Sequence, residues 1–344
     1  MNDPSYLLVL TTIVLALAFD LLNGFHDAAN SIATIVSTQV LKPQTAVIWA
    51  AFFNLVAMVI FGPRVAETVS QIIQIIPNET TYTWLILSGL VGAIFWDLLT
   101  WWFGLPTSSS HALIGGLAGA GFAFGGFQIL HIKTLYIVGA FIVLSPLIGF
   151  ILGSAMIVLL YWLNRKARPG VVDRRFRRGQ LISAALYSIG HGANDAQKTM
   201  GIILAVLIAG GLLKAGTELS LYSSETSWII FSCQLAMSLG TLFGGWRIVK
   251  TMGMKITKLK PIGGFSAETA GAFTLFFATL LGIPVSTTHT ITGAIVGVGA
   301  STASVSHVKW EIAKKIVWAW ILTLPGAALL SGLLFLFIQT FLEK

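Results

Sequence analysis

The 344 residues are 56% apolar and only 10% charged, with a mean hydropathy of +0.85. A soluble domain carries about 25% charged residues, so a soluble globular fold is excluded. The net charge of +8 does not point to nucleic acid, because the basic residues fall between apolar runs. Seven lie between Arg165 and Arg178 and five between Arg247 and Lys260, the pattern of cytoplasmic loops.

In chain order the apolar units are roughly 6–22, 25–40, 44–62, 83–103, 107–128 and 134–163. After the basic stretch come 180–190, 195–213, 227–246, 262–281, 285–303 and 312–342. The windows 44–63, 134–164, 226–246 and 316–342 carry no charge, and each is long enough to span about 30 Å of hydrocarbon. No basic region precedes the first unit, so 6–22 is expected to be a retained span rather than a signal peptide. The lone Cys233 excludes an internal disulfide. Eleven tryptophans, Trp101, Trp102, Trp318 and Trp320 among them, suit interface anchors. The expected fold is all-α: a polytopic helical membrane protein whose broken or re-entrant helices form a midplane site.

The chain repeats itself. Residues 104–121 (GLPTSSSHALIGGLAGAG) and 282–299 (GIPVSTTHTITGAIVGVG) share Gly104/Gly282, Pro106/Pro284, Ser108/Ser286, His111/His289, Gly115/Gly293, Gly119/Gly297 and Gly121/Gly299. Small-residue spacing explains part of this, but not a shared Gly-x-Pro-x-Ser-x-x-His. Gly24, Asp27 and Ala28 pair likewise with Gly192, Asp195 and Ala196. Two repeats follow, 1–163 and 180–344, joined by a short basic cytoplasmic linker, 164–179.

Loop charge orients the halves. With 164–178 inside, the basic loop 247–260 is also inside, whereas its counterpart 63–82 holds Arg64 against Glu67 and Glu79. Loop 304–315 carries Lys309, Lys314 and Lys315 against Glu311, and its counterpart carries only Lys133. Loop 211–226 carries Lys214 against Glu218 and Glu225, and its counterpart only Lys42. Corresponding loops prefer opposite faces, as in inverted-topology repeats. Parity then demands that one unit between 178 and 247 not cross. The unit broken by His191–Lys198 is expected to be that one, with both termini outside.

The chemistry lies in polar groups inside apolar runs. Asp27, Asp195 and Glu268 are intramembrane acids, and such residues mark substrate or ion pathways. Asp20 and Asp97, nearer segment ends, are expected to snorkel or cap. Thr107–Ser110 after Pro106, and Ser286–Thr288 after Pro284, have the make-up of helix starts. Helix starts attract anions, and two of them from inverted repeats could hold one tetrahedral oxyanion. Ser108, Ser109, Ser110, Ser286, Thr287 and Thr288 are therefore the anion-binding candidates. Three acids against the single Lys198 would repel an anion unless cations accompany it. The carboxylates, with the amide oxygens of Asn30, Asn194 and Gln197, suit Na⁺ or a hydrated metal ion, and a buried carboxyl could instead carry H⁺. His111 and His289 lie one turn beyond their serines, where a structural hydrogen bond is preferred over a proton relay.

Gly24-Phe25-His26-Asp27-Ala28-Ala29-Asn30, Gly192-Ala193-Asn194-Asp195-Ala196-Gln197-Lys198 and Gly282-Ile283-Pro284-Val285-Ser286-Thr287-Thr288-His289 resemble the signatures of the inorganic phosphate transporter (Pit) family, over nearly the whole chain. The resemblance implies a secondary transporter importing phosphate with Na⁺ or H⁺, or as a neutral metal–phosphate complex. It implies phosphate contacts from the two hydroxyl turns, and substrate or cation binding by Asp27, Asp195, Asn30 and Glu268. Two departures, His26-Asp27 where sodium-coupled relatives have Asn-Asp and Asn54 where they tend to have Glu, lean toward the bacterial, proton-coupled branch.

The expectation is a phosphate importer of the plasma membrane, not an enzyme, with no cofactor beyond the co-transported Na⁺ or H⁺. Membrane lipids and a further copy of the chain are the expected partners, and nucleic acid is not. A sulfate permease on the same fold is the close rival. A phospho-lipid enzyme using His111 or His289, or a passive channel, stands further off.

Overall fold

The computed structural model describes residues 4–73, 80–302 and 307–342, so Glu79 of the loop-charge argument lies outside the described residues. The helices are α1 (Pro4–Ser37), α2 (Pro43–Val56, tightening into a 3-10 turn at Ala57–Val59), α3 (Arg64–Ser70), α4 (Thr80–Phe103), α5 (Ser109–Gly125) and α6 (Ile132–Leu163). They continue with α7 (Pro169–Ala209), α8 (Ser227–Phe243), α9 (Trp246–Lys250, running into a π-helical turn at Thr251–Lys255), α10 (Pro261–Leu280), α11 (Thr287–Thr302) and α12 (Trp310–Leu342). Among the described residues the only β pairing is an isolated bridge between Ile73 and Leu130.

Among the described residues five helices are long and apolar enough to cross a membrane, and two bent pairs, α2–α3 at 85° and α8–α9 at 60°, bring the number to seven if each is one span. The elements pair as repeats in order: α1 with α7, α2–α3 with α8–α9, α4 with α10, α5 with α11, and α6 with α12.

Two apolar cores carry the fold. Val9–Phe19 of α1 share one core with Ala196–Ala209 of α7, while Ala29–Ile35 of α1 share the other with Ala184 and Tyr187 of α7. The repeat-equivalent α1 and α7 therefore run antiparallel through the molecule. Their polar segments fall between the two cores, and that inverted pairing is what the loop charges predict.

Three expectations are corrected. Units 6–22 and 25–40 form one continuous helix, α1, and units 180–190 and 195–213 form one continuous helix, α7. The glycines there allow close packing rather than breaks. A Cβ at Gly24 would lie 2.0 Å from the Met237 carbonyl oxygen, and one at Gly192 2.6 Å from that of Asn54. The basic stretch 164–179 is helical from Pro169 onward, so Arg174, Arg175, Arg177 and Arg178 ride the first turns of α7, while Arg165 and Arg168 stay in the connection 164–168.

The chain turns back elsewhere. α4 and α5 form an antiparallel hairpin in which Gly89 packs on Leu117, and α10 and α11 form its counterpart, with Gly263 against Val298 and Gly271 against Ile291. Each hairpin returns the chain toward the end from which it came. Between 178 and 247 lie the continuous α7 and the bent pair α8–α9, so the polar unit expected to be exempt from crossing is not a separate element. α6 and α12 run through Pro146 and Pro325 without folding back.

Each hairpin packs on the long helix of the other half. Gly115 and Gly119 of α5 meet the Leu324 and Ala328 carbonyls of α12, and Gly293 and Gly297 of α11 meet the Pro146 and Phe150 carbonyls of α6. The hairpin corners are latched alike. Arg64 Nη1 donates to the Leu280 carbonyl at 2.6 Å and Arg247 Nη1 to that of Trp102 at 2.6 Å. Thr68 donates to Gly282 O at 2.8 Å and Thr251 to Gly104 O at 2.9 Å. Gly104 and Gly282 themselves sit at φ +65° and +69°, where a side chain would be strained.

Candidate functional site

α5 and α11 begin where the polar segments of α1 and α7 meet. Ser108 caps α5 by accepting the His111 N–H at 3.3 Å, and Ser286 accepts the His289 N–H at 3.1 Å. Each thereby satisfies one donor that a helix start leaves free. The next two hydroxyls of each turn face the acids. Ser109 lies 3.4 Å from Asp27 Oδ1 and Thr288 3.5 Å from Asp27 Oδ2. Ser110 lies 3.5 Å from Asp195 Oδ1, and Thr287 donates to Asp195 Oδ2 at 2.9 Å. Each aspartate is thus touched by both halves.

Around this pair, Asn30 Nδ2 donates to Thr287 and Thr288 at 3.1 and 2.9 Å. Lys198 Nζ donates to Ser110 Oγ at 2.5 Å, to Val285 O at 3.0 Å and to Asp195 Oδ1. Every one of these side chains is 3% exposed or less, so the site is closed to solvent. The charges inside it are largely paired, as buried charge requires.

Two histidines join the acids. His26 Nδ1 lies 2.6 Å from Asp27 Oδ1, with Nε2 3.3 Å from Thr100 Oγ1. His191 Nε2 lies 3.2 Å from Asp195 Oδ2, one turn away, while its Nδ1 lies 3.3 Å from Asn54 Oδ1. Asp27, His191 and Asp195 present three ligand atoms within 4.8 Å of one another, a spacing that fits one cation. Sequence reasoning does not single out His191 from its neighbours in the motif. The signal that could find it is its position four residues before Asp195, one turn along the same helix face.

Other expected site residues are placed differently. Gln197 spans the break between α2 and α3, accepting the Val65 N–H and donating to Gly62 O, both at 2.9 Å. Asn194 holds the unwound segment before α11, donating to Thr279 Oγ1 and Ile283 O and accepting the Val285 N–H. Glu268 sits in a pocket of its own, accepting from Thr34 at 2.6 Å, Gln180 at 2.9 Å and Ser183 at 2.5 Å. It shares no hydrogen-bond partner with Asp27 or Asp195 among the described residues, and nothing in the sequence marks Gln180 and Ser183 as its companions.

His289 Nδ1 lies 3.3 Å from the Ile142 carbonyl, the acceptor that Pro146 leaves without its helical partner. Its ring stacks on Trp320, which donates to Pro106 O at 2.8 Å. That is the structural bond expected for this histidine, and it makes Trp320 a buried packing residue rather than an interface anchor. Trp102 and Trp318 are exposed, as anchors should be. His111 lies 4.7 Å from His289, ring to ring, with neither nitrogen hydrogen-bonded. Asp20 and Asp97 neither snorkel nor cap. Both are fully buried, and among the described residues no donor lies in hydrogen-bond geometry to their carboxylate oxygens.

A cavity of about 260 Å³, lined by Gly62, Pro63, Ala193, Gln197, Tyr222 and Gln234 among others, lies against the side of α7 opposite to Asp195.

Residues 23–331 match the family described as the phosphate transporter family. A probable low-affinity inorganic phosphate transporter of Rhizobium meliloti (strain 1021) is 56% identical over 95% of this chain and 95% of its own length. One of Bacillus subtilis (strain 168) is 42% identical over 96% and 97%. The solved structure of a sodium-dependent phosphate transporter superposes with a TM-score of 0.85 at 24% identity, covering 97% of this chain and 99% of that one. At that identity the likeness speaks for the fold. The relatives are named as transporters, in agreement with the expectation of a carrier rather than an enzyme. With the family match spanning both repeats, this multi-pass membrane protein belongs to the phosphate transporter family.

Proposed function

We propose that the protein imports inorganic phosphate by symport with a cation, H⁺ or Na⁺, through alternating access. The observation that carries this reading is the convergence of two hydroxyl-bearing helix starts, one from each repeat, on Asp27 and Asp195. Helix N-termini with free N–H groups and hydroxyls favour a tetrahedral oxyanion. Two carboxylates beside that anion call for positive charge to travel with it, and Asp27 and Asp195, with Asn30 beside them, are the groups that face it. The cation is H⁺, Na⁺ or a metal ion carried as a metal–phosphate complex.

Ser109, Ser110, Thr287 and Thr288 bind phosphate directly. Ser108 and Ser286 set the two helix starts and share in the cradle. Asn30 orients the second hydroxyl turn, while Asn194 and Gln197 support the cation groups from the hairpin corner and the α2–α3 break. Glu268 acts in coupling from its separate pocket, and His111 and His289 line the axis between the helix starts.

The membrane is the plasma membrane, with 164–168 and the start of α7 cytoplasmic and both termini outside. The repeats 1–163 and 180–344 form the two halves of the cycle. Annular lipid covers the outward faces of α6 and α12, where Tyr136, Val143 and Leu329 are exposed.

Competition in proteoliposomes tests the substrate. Labelled phosphate uptake is expected to persist under excess sulfate and to fall with unlabelled phosphate. Full displacement by sulfate, with labelled sulfate untouched by phosphate, would show a sulfate permease instead.

A further inference from the structure

Lys198 is a buried lysine in the site whose place in the repeat has a consequence for coupling. The pairing that joins Asp27 to Asp195 joins Asn30 to Lys198, and the pairing of the hairpins joins Ser109 and Ser110 to Thr287 and Thr288. The contacts obey both. Asn30 Nδ2 donates to Thr287 and Thr288, and Lys198 Nζ to Ser110, the counterpart of Thr288. One neutral amide and one ammonium thus occupy equivalent places about the pseudo-two-fold axis.

Their surroundings differ in a matching way. Lys198 Nζ is ringed by a carboxylate oxygen of Asp195, the Ser110 hydroxyl and the Val285 carbonyl. These are the oxygen donors that a hard cation takes. On the other side, Asn30 Oδ1 is buried and has no hydrogen-bond partner among the described residues. Among the described residues Asp27 Oδ2 has only the Thr288 hydroxyl, at 3.5 Å. One half has an ammonium built in; in the other, His26 and Ser109 meet Asp27 Oδ1 while Asp27 Oδ2 and Asn30 Oδ1 are left open to a cation.

We propose that Lys198 is a tethered cation. Its ammonium permanently fills, beside Asp195, the position that beside Asp27 is left to a mobile monovalent cation held by Asp27 and Asn30 Oδ1. The cycle then carries one mobile cation at the phosphate site rather than two. Lys198 acts on phosphate through charge and by positioning Ser110. The inference rests on phosphate being the substrate, as proposed above.

The test is equilibrium binding of labelled phosphate to the purified full-length protein, with Na⁺ titrated against N-methylglucamine. Wild-type protein is expected to bind phosphate with no Na⁺ dependence or one with a Hill slope of about 1, the slope being bounded by the number of sites. Lys198→Asn, which copies the residue of the first repeat, is expected to lose affinity without Na⁺ by about tenfold to a hundredfold, the loss expected for a charged hydrogen-bond partner. Na⁺ should restore it with a steeper slope. Lys198→Met offers neither charge nor oxygen, so it should lose affinity without rescue by Na⁺.

Undiminished binding by Lys198→Asn in the absence of Na⁺, or a loss that Na⁺ leaves in place, overturns the proposal. A wild-type Hill slope of about 2 overturns it without any variant, so a variant that fails to fold does not decide the matter. Wild-type protein that binds no phosphate at any Na⁺ concentration would first overturn the substrate reading, and the tethered cation with it.

Discussion

Ser108 and Ser286 each give a hydroxyl to a helix start, while the two hydroxyls that follow face the acids. Substituting the cap and substituting its neighbours should therefore differ. Ser286→Ala removes the N-cap of α11 and should cost about 1 kcal/mol of stability, with weaker phosphate binding as the helix start loosens. Thermal unfolding and labelled-phosphate binding on the same preparation check both parts. Asp195→Asn keeps the shape but removes the charge that faces Lys198, Thr287 and Ser110. It should abolish coupled uptake while leaving the protein folded and inserted. Unchanged uptake would remove Asp195 from the mechanism.

At this scale much of the site is legible in the sequence, because its signals are local. Hydroxyls after a proline predict a capped helix start from neighbours in sequence alone, and Ser108 and Ser286 do cap one, but Pro106 and Pro284 lie two residues before the caps rather than in the first turn. The groups around Glu268 are not legible. Gln180 and Ser183 lie on α7 and Thr34 on α1, and only packing brings them to one carboxylate. The burial of Asp20 and Asp97 escapes the sequence for the same reason: which part of a long apolar helix faces protein rather than lipid depends on its neighbours.

Among the elements, glycine separates what the sequence tells correctly from what it does not. A glycine near polar residues looks like a break, yet α1 and α7 pass straight through Gly24 and Gly192. The spacing there is set from outside, by the carbonyls of Met237 and Asn54. The same close approach recurs at Gly240, where a Cβ would lie 1.9 Å from the Leu21 carbonyl oxygen. Gly240→Ala should push α8 from α1 and destabilise the protein by about 1–3 kcal/mol, the usual cost of overpacking. A lowered melting temperature would register it, and an unchanged one would mean the two helices move apart freely. The real corners, Gly104 and Gly282, are recognisable as repeat partners from the amino-acid sequence alone. Their shared left-handed backbone shows why both are glycine.

For the whole molecule, loop charge predicts opposite orientation of the halves, and the antiparallel course of α1 and α7 through two shared cores agrees. The expectation of an interruption at the polar unit is overturned, because α7 is one continuous helix. The chain turns back in the α4–α5 and α10–α11 hairpins, because residues 104–108 and 282–286 unwind after the φ-positive glycines, whereas the polar segment of α7 stays helical. Sidedness follows and can be measured, since Cys233 is buried and leaves a quiet background for labelling. A cysteine at Arg174 (R174C) should react with an impermeant thiol reagent only from the cytoplasmic side, and one at the fully exposed Tyr222 (Y222C) only from outside. Both reacting from the same side would contradict a full crossing by α7.

The central claim is that the paired aspartates couple phosphate to a cation, and uptake of labelled phosphate into proteoliposomes under separately imposed Na⁺ and H⁺ gradients tests it most directly. The account predicts accumulation above the external concentration under at least one of the two gradients, abolished in Asp195→Asn. Phosphate that merely equilibrates under both gradients would show a passive path and contradict it.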